Sequence, residues 1–160
     1  RQMCIRDRLK QMYAHGDQAK IRKEGFSLLD MKHYLASVGL QADGFRESLD
    51  KLTTVGIPAI VLLNINGYLH FVVVKGVTED TVLLGDPALG MKSVPREDFK
   101  QMWNDIIFVV TNKVEVARRH FNKAQDWAFR PKAPFDRSLH LSTQQLGTVA
   151  LDMVRTPGYY

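Results

Sequence analysis

Two periods of hydrophobicity divide the chain. Between residues 27 and 39, Leu28, Met31, Leu35 and Val38 fall on one helical stripe, opened by the capping-box-like Ser27-Leu-Leu-Asp30 and closed by Gly39. Residues 9–14 read as the last turns of another helix, ended by His15-Gly16, and so short a piece implies more helix upstream. Residues 46–53 (RESLDKLT) predict a short helix, which Gly56-Ile57-Pro58 breaks into extended chain.

From Pro58 onward the apolar residues come in short runs rich in β-branched side chains: 59–63 (AIVLL), 69–77 (LHFVVVKGV), 81–84 (TVLL), 91–94 and 106–111 (IIFVVT). Asn66-Gly67, Glu79-Asp80 and the segment from Asp86-Pro87 to Gly90 separate them as turn chemistry, so an antiparallel meander is expected. Pro95-Arg-Glu-Asp98 opens a helix through Trp103, with proline suited to the first turn and acids at the positive end of the dipole. Phe99 and Trp103 pack that helix on the sheet. Helices first and sheet afterwards make the fold class α+β, N-terminal helices packed on an antiparallel sheet.

After Asn112 the texture changes to a basic helical candidate at 113–123, an irregular aromatic and proline stretch at 127–136, and a further helical candidate at 142–154. No run of roughly 18–20 apolar residues, the length a membrane helix needs, occurs in the chain. The net charge of +5 does not describe the middle of the molecule: residues 9–112 hold eleven basic and twelve acidic side chains, and the excess lies at the two ends. Without a basic stripe interleaved with stacking aromatics, nucleic acid is not the expected partner. A basic scaffold or nucleic-acid protein resting on residues 113–132 ranks last, and steep salt dependence of binding would reveal it.

Candidate chemistry centres on His70 and Asp86. His70 closely follows the Asn66-Gly67 turn at the start of one strand, and Asp86 ends the next. In a hairpin of this length those two ends lie side by side, so the side chains can meet. A carboxylate on one imidazole nitrogen fixes the tautomer and leaves the other to take a proton from a nucleophile. The alternative is structural: a strand-end histidine bonded to backbone and a turn-forming aspartate before proline. His15, His33, His120 and His140 fall at no pairwise spacing that zinc favours, and one cysteine is alone in the chain, so neither a metal nor another cofactor is expected.

The segment 56–110, "GIPAIVLLNINGYLHFVVVKGVTEDTVLLGDPALGMKSVPREDFKQMWNDIIFVV", resembles the papain-like cysteine peptidases that cut bacteriocin leaders after a double glycine, including their stand-alone bacterial relatives. The proline before the first strand, the His-Phe-Val-Val-Val strand, the Gly-Asp-Pro-x-x-Gly turn and the Phe-x-x-x-Trp helix carry the resemblance. Residues 24–45 look like the family's helix followed by a small strand. The resemblance implies a papain-like fold over residues 9–112, His70 as catalytic histidine and Asp86 as its orienting acid. It also implies a peptide or protein substrate, such as one with a Gly-Gly leader, a link to export machinery, and a periplasmic or membrane-associated bacterial setting. In the family the nucleophile opens a helix as Cys-Gly-x-Ala, where dipole and imidazolium favour thiolate. A Gln about six residues earlier supplies the oxyanion donor.

Cys4 departs from that pattern. Ile5-Arg6-Asp7-Arg8 stands where glycine and small apolar residues belong, and Gln2 is too close to serve as the oxyanion donor. Residues 1–8 are expected to be non-native, because Met3 to Arg8 matches one reading frame of a transposon-end sequencing adapter; genomic DNA reading continuously through these codons would refute this. The chain is therefore expected to be a truncated peptidase domain lacking its nucleophile and oxyanion Gln, and inactive as it stands. Residues 113–160 are expected to form an extension of unknown role. The alternative function is a non-catalytic, peptidase-like module that binds a peptide or export substrate in a groove beside His70.

Overall fold

The computed structural model describes residues 5–128. Three helices come first: α1 (Ile5–His15), α2 (Gln18–Glu24) and α3 (Leu28–Ser37). The capping box at α3 forms as the sequence suggests, with Ser27 Oγ accepting from the Asp30 N–H and the Asp30 carboxylate accepting from the Ser27 N–H. Helix α2 escaped the periodicity reading because it buries a single apolar residue, Ile21; its signal is local, an Asp17 side chain capping the Lys20 N–H.

Strand β1 (Ala42–Arg46) and helix α4 (Leu49–Val55) correct the expected helix at 46–53. Arg46 pairs with Ile106 as the last residue of the strand, and the helix waits for Ser48, whose hydroxyl caps the Lys51 N–H. The remaining strands are β2 (Ala59–Ile65), β3 (Tyr68–Val77), β4 (Thr81–Asp86), β5 (Gly90–Pro95) and β6 (Trp103–Val110), with helix α5 (Arg96–Met102) between the last two. Trp103 thus opens a strand and does not end the helix.

The sheet has six strands in the order β1-β6-β2-β3-β4-β5, and every pairing is antiparallel. The meander from β2 to β5 is as expected. The expected meander does not extend to β6, which α5 carries back across the sheet to the free edge of β2, leaving β1 outermost beyond it. Consecutive residues Asn66 and Gly67 take φ of 52° and 88°, the left-handed pair that a two-residue hairpin needs to match strand twist.

One face of the sheet carries the core. Val61, Leu63, Val72, Val74, Leu84, Ile107 and Val109 close against Leu49 and Leu52 of α4 and against Phe99 and Trp103. The Phe99 and Trp103 rings lie 5.3 Å apart, and Phe99 is completely buried, so the pair packs α5 on the sheet as anticipated. On the opposite face, Leu35 of α3 with Ile60, Val73, Phe108 and Val110 lines an apolar groove of about 190 Å³.

Beyond β6 the expected helix at 113–123 is shorter, α6 (Val114–Arg118), followed by α7 (Ala124–Trp127). Asn122 straps this segment to β3. Its side chain donates to the Val77 carbonyl and accepts from the Val77 N–H, and its own N–H donates to the Lys75 carbonyl at the β3 bulge. Cys4, His140, the rest of the stretch from 129 and the helix anticipated at 142–154 lie outside the described residues. Among the described residues no helix is long and apolar enough to cross a membrane.

Candidate active site

The site lies where β3 begins and β4 ends. Alternation along β3 puts His70, Val72 and Val74 on the core-bearing face, and the β4 pairing brings Asp86 to the same face. His70 Nε2 stands 3.0 Å from Asp86 Oδ2, with the imidazole side chain 15% exposed and the carboxylate 2%. The two residues meet as the hairpin argument requires.

The carboxylate is anchored from two sides. Oδ1 accepts the backbone N–H groups of Ala88 (2.8 Å) and Leu89 (3.0 Å), so the Asp-Pro turn that looked like a bland loop signal is an Asx turn that aims the acid. Oδ2 faces His70 and also Lys92 Nζ, at 3.1 Å. Burial pushes the Asp86 carboxyl up, but the bonds from His70, the Ala88 N–H and Lys92 outweigh it and hold the group well below the usual carboxylate range.

An ionised carboxylate can only accept, so the bridging proton resides on His70 Nε2. The neutral ring then carries its lone pair on Nδ1. The Tyr68 ring stacks on the imidazole, with centroids 6.0 Å apart and planes 24° from parallel. The arrangement can accept a proton at Nδ1, hold the resulting imidazolium beside a fixed negative charge, and return the proton.

Lys92 is the member that sequence reasoning missed. Its signal was available in the register: β4 and β5 pair Leu84 with Lys92 and Asp86 with Gly90, so a residue two places beyond the turn falls on the same face as the acid. Among the described residues, His15, His33 and His120 do not join the site; the His15 ring bonds through Nδ1 to the Gln11 carbonyl of its own helix.

Known proteins of similar sequence and structure share this domain. The chain is 48% identical over 102 residues to the probable functional amyloid protease FapD of Pseudomonas fluorescens, covering 64% of this chain and 45% of that protein. It is 28% identical over 110 residues to the pediocin PA-1 transport/processing ATP-binding protein PedD of Pediococcus acidilactici, covering 65% of this chain and 15% of that one. It spans less than half the length of either relative. The peptidase domain of Streptococcus mutans ComA, solved in complex with a small-molecule inhibitor, superposes with a TM-score of 0.51 at 18% identity, covering 69% of this chain and 95% of that domain. That likeness establishes the shared α+β fold. Residues 12–115 match the Peptidase C39 family, and the chain belongs to that family.

Proposed function

We propose that this chain carries the histidine and acid of a Cys-His-Asp peptidase site of the kind that cleaves a leader after a double glycine. The observation that supports it most is the 3.0 Å contact between His70 Nε2 and an Asp86 carboxylate itself held by two backbone N–H groups. In this reading Nδ1 takes the thiol proton of a cysteine, and the thiolate attacks the carbonyl carbon of the second glycine. The imidazolium then gives its proton to the departing amine, and water, deprotonated at the same nitrogen, hydrolyses the thioester.

Cys4 is not that cysteine in this reading, because Ile5-Arg6-Asp7-Arg8 replaces the small residues that let the nucleophile's helix pack. The substrate is a secreted peptide or protein. Greater likeness to a probable functional amyloid protease than to a pediocin processing protein favours an exported amyloid component over a bacteriocin.

Two preparations test the proposal against a Gly-Gly leader peptide. The 160-residue chain is expected to leave it intact; thiol-dependent cleavage lost in Cys4→Ala would overturn the exclusion of Cys4. The same chain with residues 1–8 replaced by the family's Gln-x5-Cys-Gly-x-Ala segment, its cysteine set about fourteen residues before Gly16, is expected to cut it, and to lose that activity in His70→Ala. Cleavage that survives His70→Ala would sink the assignment of the base.

A further inference from the structure

We propose that Lys92 is a positioning residue for the His70–Asp86 pair: by sharing Asp86 Oδ2 with the imidazole, it keeps the acid charged and its carboxylate plane fixed. This rests on the peptidase reading of the site.

Four donors meet Asp86, from the three elements packed around it. His70 comes from β3, Lys92 from β5, and the Ala88 and Leu89 N–H groups come from the connecting turn. Each carboxylate oxygen therefore receives two donors, which is the full complement of a planar carboxylate. Removing the donor on Oδ2 that is not histidine leaves that oxygen held by Nε2 alone, with the two backbone N–H groups still on Oδ1.

The charge has a separate consequence. When His70 is an imidazolium, a 2% exposed carboxylate beside it could accept the Nε2 proton and neutralise both groups, which would discard the charge that stabilises the imidazolium. A fixed ammonium on the same oxygen opposes protonation of Asp86 whatever the state of the ring. Lys92 suits this role because its side chain is 16% exposed, buried enough for its charge to act without full solvent screening. By contrast, Lys100 pairs with Glu97 on an exposed helix surface and serves no such purpose.

The test uses the chain as it exists and needs no cleavage. With carboxyl-¹³C aspartate incorporated, the Asp86 resonance, identified by its loss in Asp86→Asn, is followed from neutral pH down to acid unfolding. In Lys92→Met its protonation is expected to begin about one pH unit higher than in the parent, and Lys92→Arg is expected to restore the parent curve. Superimposed Lys92→Met and parent curves would overturn the proposal. If Lys92→Met does not fold, Lys92→Gln gives the same reading; loss of fold in both while Lys92→Arg folds makes the lysine a structural prop and also overturns it. An unchanged Asp86 curve leaves the peptidase reading standing, and a failed cleavage assay leaves this titration standing, so the two can fail separately.

Discussion

His70 Nε2 and Asp86 Oδ2 stand 3.0 Å apart although fifteen residues of chain and a full hairpin separate them. The pair is also a stability element. Because the Asp86 carboxyl is held below its unfolded value, its contribution is complete above the ordinary carboxylate pKa of about 4 and is lost as pH falls through the lower folded value. Unfolding free energy should therefore decline on acidification below about pH 5, and Asp86→Asn should flatten part of that decline. Urea unfolding at a series of pH values checks this. An undiminished acid slope in Asp86→Asn would assign the dependence to other carboxylates, of which Asp30, lowered by its Ser27 bond, is the first to examine.

Gly67, at φ 88° beside Asn66 at 52°, sets the register that pairs Leu63 with His70. A β-branched residue at such a φ meets its own backbone, so Gly67→Val should cost about 1–3 kcal/mol in urea unfolding. It should also move the His70 ring resonances, since a strained turn shifts the start of β3. Unmoved resonances with a stability loss would confine the strain to the turn.

The sequence made the β2–β5 meander and the His70–Asp86 meeting legible because both are local: turn residues fix the hairpins, and hairpins fix which strand ends adjoin. The place of β6 was not legible. Its run of apolar residues would suit any edge, and its place beside β2 appears only in three dimensions, where α5 packs Phe99 and Trp103 on the core-bearing face. Helix α2 was hidden for the opposite reason, having almost no apolar stripe to read. Lys92 was hidden because a lone lysine on a strand carries no signal until the register is known.

Gly76 sits at the β3 bulge beneath the C-terminal strap. A Cβ there would collide with Asn122 Oδ1 and approach the Trp127 ring at 3.0 Å. Gly76→Ala should therefore lift the strap, break the Asn122 bonds to Val77 and cost about 1–3 kcal/mol. Faster amide exchange confined to Val77 and Asn122 is the expected signature. Protection unchanged from the parent would show that Asn122 can move aside while keeping its bonds.

Phe99 links the helix that returns β6 to the strand that carries the histidine. It is wholly buried against Trp103, which pairs with Leu63, and Leu63 in turn pairs with His70. Removing the fully buried ring leaves a cavity between α5 and the sheet, so Phe99→Ala should cost about 3–5 kcal/mol. Phe99→Leu, which refills most of the volume, should cost less than half of that. Because the cavity borders Trp103, the indole should redden its emission in the alanine variant before global unfolding, as water reaches the ring. A loss below about 1 kcal/mol would mean that α5 collapses onto the sheet without its anchor, and β6 would then owe its place beside β2 to strand pairing alone.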